Sequence, residues 1–559
     1  MIEVVMLQKQ YSWWQKTVVY QIYPRSFRDT TGNGIGDLQG IIEKLDYLED
    51  LGVETIWFSP FFKSPQKDHG YDVSDFRKID SVYGSMDDFN TLLQSMHNRN
   101  IKMVLDLVLN HTSDEHPWFI ESTSSRDNPK RDWYIWADGK KPKGKKPPNN
   151  WKAMTGGSAW KYDPNTEQWY YFHFLPFQPD LNYRNPKVKE EMFDIMRFWL
   201  DKGVDGFRLD ILHSIYEDEA LRDDEFSWHL FPSDKRVSSL FRKHKYDLNL
   251  PETKDFAFEL REVMDEYQPE RFLVGEVYGS IEELSKYYGP NNNGLNMCFL
   301  FEYSVAKPKP NVYRNIISRI EKALPYPYTP TYVYGNHDMV RYISRIDNNQ
   351  QLAKLLATMQ LTLRGVPFIY YGEEIGMKNV NFDLKNSEDP IGRKFSKFPL
   401  SCIVKLFGIS VTRDGCRTPM QWNSQPNAGF SDGEMMDPWL KIPDSYKRIN
   451  VEKERKNPAS MLNCYKRLIA VRKNNNVLSD GLFEFIRRNE HKNCISYKRI
   501  NSNDEIYIYL NFSRNEKLIV CPVEEPNLLF STLSNRVAID IEAYNGKIKL
   551  TPLEGIIFK

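Results

Sequence analysis

The chain has 559 residues, and Lys+Arg and Asp+Glu both number 75. A formal net charge of zero offers no electrostatic basis for nucleic acid or an anionic membrane as partner. The start, MIEVVMLQKQYSWWQK, is broken at Gln8, Lys9 and Gln10, and no later run is long enough to span a bilayer, so a soluble cytoplasmic chain is expected.

From the N-terminus, strand-like and helix-like segments alternate. VVYQIY (18–23) precedes an amphipathic run, Leu38, Ile41, Ile42, Leu45, Leu48 and Leu51, which closes at Gly52, a helix C-cap signal. TIWF (55–58) precedes a helix opening near Ser85. IKMVLDLVL (101–109) is almost continuously apolar, as a strand covered on both faces would be. Residues 113–186 then lose the alternation, carry KKPKGKKPPNNW, and read as an inserted loop domain on the catalytic face. Strands resume at 204–210, 271–277, 294–301, 330–338 and 366–372. Helices are expected at 187–202, 254–267, 312–323, 351–363 and Pro458 to Lys473.

Eight such units predict a (β/α)8 TIM barrel built from residues 1–112 and 187–477. After the eighth strand, 378–412 contains KFSKFPLSCIVKLFGIS, more apolar than a solvated loop, which could cover the mouth or form a subunit contact. Monomer and homodimer both stay open. From 478 to 559, short alternating runs such as EIYIYLNF predict a C-terminal antiparallel β-sandwich. The six cysteines (Cys298, Cys402, Cys416, Cys464, Cys494 and Cys521) form no C-x-x-C pair and read as buried thiols.

Three of the strands end on acids: Asp210 in VDGFRLD, Glu276 in RFLVGEV and Asp338 in PTYVYGNHD. Strand ends in a barrel converge on one mouth, and two facing carboxyl groups are the minimal equipment for glycosidic bond cleavage. Period-2 alternation puts Arg208 on the same face as Asp210, where its charge would favour the ionised carboxylate. Glu276, near two like charges, would keep its proton and act as an acid. His111 in DLVLNH and His337 before Asp338 are placed to bond sugar hydroxyls. An aromatic content of 14% suits ring stacking against sugars, although most such rings are core.

Taken together, DLVLNH, GFRLD, GEVY and NHD resemble the four signature segments of glycoside hydrolase family 13, the α-amylase family. The resemblance implies a retaining mechanism with Asp210 as nucleophile, Glu276 as acid/base and Asp338 as transition-state stabiliser. It gives Asp106 and Asn110 structural roles, and makes Arg208, His111 and His337 substrate contacts. QPDLN (178–182), RDGCRTPMQWN (413–423) and GVPFIYYGEEIGM (365–377) resemble the α-glucosidase and oligo-1,6-glucosidase branch, which adds Gln178 to the substrate contacts. In that branch an Asp after GY and an Arg three residues past the NHD acid clamp the terminal glucose. Here these are Asp72 and Arg341, with Tyr71 as the stacking platform; His69 and the stretch Asp210-Ile211-Leu212-His213 depart from the branch pattern.

DTTGNGIGD (29–37) carries oxygen side chains at positions 1, 3, 5 and 9 with Gly at 6, the spacing of a calcium loop. Asp29, Thr31, Asn33, the Ile35 carbonyl and Asp37 would ligate one structural Ca2+ or Mg2+; the alternative is an ion-free Asn-Gly turn. None is required for chemistry. The expected activity is exo-acting, retaining hydrolysis of terminal α-linked glucose from short oligosaccharides or α-glucosides, through α-1,4 and/or α-1,6 bonds. The alternative is a sugar isomerase or transglycosylase of the trehalose synthase or sucrose isomerase type. A non-catalytic relative such as a transporter heavy subunit, or a plain carbohydrate-binding protein, would not need all three acids.

Overall fold

A computed structural model describes residues 11–140, 144–229, 239–397, 411–432, 437–486 and 492–559. Eight parallel strands form its centre: β1 (Val19–Ile22), β2 (Thr55–Phe58), β3 (Lys102–Leu107), β4 (Gly206–Leu209), β5 (Phe272–Gly275), β6 (Met297–Cys298), β7 (Thr331–Val333) and β8 (Val366–Tyr370). They pair in the order β6-β5-β4-β3-β2-β1-β8-β7. The last gap, between β7 and β6, is bridged by the Thr331 hydroxyl donating to the Cys298 carbonyl at 2.8 Å. The strand ladder is therefore a (β/α)8 barrel.

β6 is far shorter than the 294–301 run predicts. The side-chain oxygen of Asn296 accepts from the Leu273 amide at 2.8 Å, taking the place of a ladder bond, and the chain turns into a helix at Phe301–Ser304. At β4, glycine is required by close approach. A Cβ on Gly206 would lie 2.5 Å from the Phe272 carbonyl oxygen.

Alternation along each strand explains the site. Outward residues such as Tyr20, Ile22, Ile56, Phe207 and Leu209 belong to the large core under the helices. Inward residues Val19, Trp57, Val104, Phe272, Val274, Val333 and Phe368 fill the barrel. One step further along the same inward faces come Gln21, Asp106, Arg208 and Asp210, all buried. The barrel is thus apolar at its base and polar where its strands end.

Residues 113–186 are more regular than their composition suggests. A helix at Pro117–Ser124 leads to a three-stranded antiparallel sheet of Trp136–Ala137, Gln168–Tyr171 and Trp160–Asp163. Buried Trp133, Tyr134, Trp151, Trp160 and Tyr171 supply its core, so aromatic packing stands in for the missing aliphatic period. The C-terminal region is a β-sandwich. A five-stranded antiparallel sheet (Leu482–Phe485, Cys494–Ile500, Glu505–Asn511, Gly555–Phe558, Leu528–Ser531) faces a pair, Lys517–Val520 and Lys547–Leu550. Tyr509, Ile556 and Phe558 pack against Ile519, Ile548 and Leu550 between them. Buried Arg499 joins the sandwich to the barrel, donating to the carbonyls of Thr362 at 2.8 Å and Leu478 at 2.7 Å.

Cys298, Cys416, Cys464 and Cys494 are buried free thiols and Cys521 is half-buried; Cys402 and most of the apolar 398–410 stretch lie outside the described residues. Among the described residues, no helix is long and apolar enough to cross a membrane.

Candidate active site

At the strand ends lies a cavity of about 320 Å³, the small end of the range for ligand sites. Asp210, Glu276, Asp338, Tyr71, His111, His337 and Gln178 all line it, as the sequence predicts. Arg208 sits beneath it. Its Nη1 donates to Asp106 Oδ1 at 2.7 Å and to Asp210 Oδ1 at 2.6 Å, while its Nη2 bonds Glu276. One guanidinium therefore holds two of the carboxyl groups that face the cavity.

The residue after Asp210 is strained. Ile211 is β-branched yet has φ +33°, a left-handed conformation that costs about 1–3 kcal/mol for a non-glycine residue. The turn aims the Ile211 amide at Glu276 Oε2, 3.4 Å away, and the Leu212 amide donates to the Glu276 carbonyl at 3.0 Å. The strained turn thus ties the end of β4 to the end of β5.

Electrostatics separate the three acids. Burial pushes Asp210 up to about 7, against the pull of Arg208. Burial, reinforced by the charges of Asp210 and Asp338, pushes Glu276 up to about 8 despite Arg208. Arg208 favours the ionised carboxylate of Asp210 as expected, but burial outweighs it, and the same guanidinium also serves Asp106 and Glu276. Asp338 behaves oppositely. Burial raises it, but His337, Arg413 and Arg417 outweigh burial and hold it well below the usual range. Arg417 Nη2 lies 2.9 Å and Arg413 Nη1 3.3 Å from Asp338 Oδ1. Of the three, Glu276 keeps a proton to the highest pH and Asp338 is ionised throughout.

The histidines are neutral. Burial lowers His111 to about 4 and drives His337 well below its ordinary value. Gln21 Nε2 donates to His337 Nδ1 at 2.8 Å, so Nε2 carries the hydrogen, 2.6 Å from the Tyr71 hydroxyl and 3.0 Å from Asp338 Oδ2. Tyr71 in turn donates to Asp106 at 3.0 Å, and its ring stacks on His337 at 5.3 Å. This chain connects β1, the β2 loop, β3 and the end of β7.

Two predicted contacts lie elsewhere. Asp72 is fully buried below the wall and accepts from Ser64 Oγ and from the amides of Lys67 and Asp68, which shapes the loop rather than the cavity. Arg341 is buried behind the cavity, donating to the Tyr371 carbonyl at 2.7 Å and packing its guanidinium over Tyr370 and Tyr371. Neither lines the cavity. Asp68 and Arg413 do, joined by a 2.5 Å ion pair, with Gln178 Nε2 also on Asp68 at 3.2 Å. Arg413 is further held by Asp389 at 2.8 Å. Asp68 precedes HGYD by one residue and Arg413 opens RDGCRTPMQWN, so the motifs were visible but the facing pair was not. His173 and Phe174, which carry no motif, also line the cavity, with His213 and with Tyr278 of GEVY.

The loop 29–37 folds its own backbone around its two acids. Asp29 Oδ1 accepts from the amides of Thr31 and Gly32, and Oδ2 from Gly34, wrapping the backbone around the carboxylate. Asp37 accepts from Thr30 and caps the next helix through Gly40. Both acids are buried, and no basic side chain pairs with either among the described residues. Asn33 Oδ1 accepts from the Ile35 amide at 2.8 Å.

Residues 21–481 match the family described as alpha amylase, catalytic domain. The chain belongs to the α-amylase family. It is 38% identical to an oligo-1,6-glucosidase of Bacillus cereus over 99% of this chain and 100% of that one. It is 40% identical to a probable alpha-glucosidase of Rhizobium meliloti, over 91% of each chain. Among solved structures, an alpha-glucosyl transfer enzyme, XgtA, superposes with TM-score 0.87 at 35% identity, covering 98% of this chain and 99% of that one. The trehalulose synthase MutB of Pseudomonas mesoacidophila MX-45 gives 0.86 at 32% identity, over 99% and 100%.

Proposed function

We propose that this α-amylase-family chain is an exo-acting, retaining α-glucosidase that removes terminal glucose from short α-1,4- and/or α-1,6-linked oligosaccharides or α-glucosides. The observation that carries the reading is one guanidinium, Arg208, holding Asp210 and Glu276 beside a cavity also lined by the Asp68–Arg413 ion pair. Asp210, ionised, attacks the anomeric carbon while Glu276 gives its proton to the leaving oxygen. Glu276, now a carboxylate, takes a proton from water, which attacks the glucosyl–Asp210 ester. Two inversions at one carbon retain the α-configuration. Asp338, kept anionic by two arginines, stabilises positive charge developing on the sugar ring. Asp68 and Arg413 would bind the hydroxyls of the terminal glucose and block extension of the chain, which favours attack at ends over attack in the middle.

Relatives named oligo-1,6-glucosidase support hydrolysis. The glucosyl-transfer and trehalulose-forming neighbours make transfer the second reading. A panel of α-1,4, α-1,6, α-1,2 and α-1,1 glucosides, with products followed by NMR, separates the two. Release of α-glucose in step with substrate loss is expected; isomerised disaccharide as the main product would refute hydrolysis. For loop 29–37 we propose one structural Ca2+ or Mg2+ held by Asp29, Thr31, Asn33, Asp37 and the Ile35 carbonyl. That Asp29 and Asp37 are buried with no basic side chain paired to them among the described residues supports it. Adding Ca2+ or Mg2+ to metal-stripped protein is expected to raise Tm, and an unchanged Tm with both ions would refute the site.

A further inference from the structure

The loop after β4 brings Asp224, His244 and Asp247 together beside the cavity wall. One ligating atom from each lies within 4.8 Å of the others. The three residues are 4%, 1% and 0% exposed, so water does not solvate their charges. His244 Nε2 is 3.2 Å from the Ser239 carbonyl, an acceptor only, and 3.0 Å from the Ser239 hydroxyl, and both oxygens can take a hydrogen carried on that nitrogen. In that tautomer Nδ1 turns its lone pair on Asp247, 3.0 Å and 3.3 Å from the two carboxylate oxygens. A lone pair facing a carboxylate so closely is repulsive unless something positive lies between them.

Asp224 adds a second, independent sign. Its Oδ1 accepts from the Lys245 amide at 3.0 Å, while its buried Oδ2 has no hydrogen-bond partner. Nearby Glu217 is buried as well, with Oε1 unpartnered, and its charge acts on the same group as those of Asp180 and Asp247. No Lys or Arg pairs with Asp224 or Asp247 among the described residues. Two buried carboxyls, Asp224 and Asp247, thus face one imidazole.

The spacing also fits two ligands of one ion. Two ligand atoms about 2.0–2.1 Å from a tetrahedral Zn2+ stand roughly 3.3 Å apart, the spacing seen here between Nδ1 and Asp247. Donation of the other ring nitrogen to a backbone carbonyl is the arrangement that fixes a metal-bound imidazole. We propose that Asp224, His244 and Asp247 bind a divalent ion of the Zn2+ type, through one nitrogen and two carboxylates. The ion would tie residue 224 to the 244–247 segment. That segment continues to Asn249, whose amide donates to the His213 carbonyl at 2.7 Å, so the site would stiffen the wall that carries His213.

The test uses the untagged full chain, stripped with chelator and titrated with Zn2+ by calorimetry and with Co2+ as a spectroscopic probe. One equivalent is expected, with cobalt d–d absorbance and no thiolate charge-transfer band. Asp247→Asn and Asp224→Asn should each weaken binding at least tenfold, as loss of a ligand does, while Asp29→Asn leaves it unchanged. Circular dichroism checks each variant; if Asp247→Asn fails to fold, Asp224→Asn, which keeps its bond to Lys245, carries the test. No binding by the parent chain would overturn the proposal and leave His244 as an imidazolium paired with Asp247. Undiminished binding in Asp224→Asn, or a thiolate band, would overturn it equally.

Discussion

Replacing Arg208 by Lys and by Met separates its geometry from its charge. Arg208 bonds Asp106 and Asp210 at 2.7 Å and 2.6 Å and also holds Glu276, all in a buried setting. Lysine keeps the charge but lacks the planar fork. It loses at least one charge-assisted bond, about 1.5–3 kcal/mol, so kcat/KM should fall about 10- to 100-fold. Methionine leaves three buried carboxyls without a countercharge; breaking such a pairing costs about 3–5 kcal/mol of stability. The carboxyls respond by keeping their protons. Activity requires Asp210 charged and Glu276 protonated, so the parent kcat/KM should rise as pH passes about 7 and fall as it passes about 8. Arg208 lowers both groups, so its loss moves both limbs to higher pH, by more than one unit or about 1.4 kcal/mol. Initial rates on p-nitrophenyl α-glucoside across neutral and alkaline pH, with circular dichroism at each point, measure this. Arg208→Lys within threefold of the parent, or Arg208→Met with an unmoved acid limb, would refute the assigned role of Arg208.

Other expectations follow from the same geometry. Asp210→Ala should retain its Tm within a few degrees and lose more than about 1,000-fold in kcat; a turning-over Asp210→Ala enzyme would remove the nucleophile assignment. Arg413→Ala breaks bonds to Asp68, Asp338 and Asp389 and should lower kcat/KM on maltose-type substrates about 100-fold, and equal loss on internal and terminal linkages would contradict a pocket for one glucose. Glu276→Gln has a stability signature. A folded value near 8, above the ordinary carboxyl, means the stability associated with the proton is complete in acid and is lost as pH rises through 8. Thermal melts of parent and variant should therefore coincide below the ordinary carboxyl value of 4.5, diverge as pH rises to about 8 and keep a constant offset above it, with Glu276→Gln the more stable; a difference independent of pH throughout would show that Glu276 is not perturbed.

The acids were legible because they sit at the ends of strands whose apolar alternation is itself legible. Val104 and Asp106 share an inward face with Trp57 beside them, the same step from apolar to polar recurs at Val274–Glu276, and Arg208 and Asp210 extend the polar layer. The helix and sheet inside the inserted domain, residues 113–186, were not legible because their core is built from Trp and Tyr without a period of two. Asp72 and Arg341 were misassigned for a related reason. Asp72 follows Asp68 across the tight turn at His69, φ +52°, while Arg341 leads into the short helix Tyr342–Arg345, far along the chain from Arg413, and neither lines the cavity.

What the sequence determined by itself was therefore local: strand identity, the inward face, the three acids and the family. Only the tertiary structure decided which charges meet. Asp68 and Arg413 are 345 positions apart, and no period along the chain can pair them. The same holds for Asp210 and Glu276. Their proton affinities come from burial and from one shared guanidinium, and burial is a property of the folded barrel, with no counterpart in any single segment.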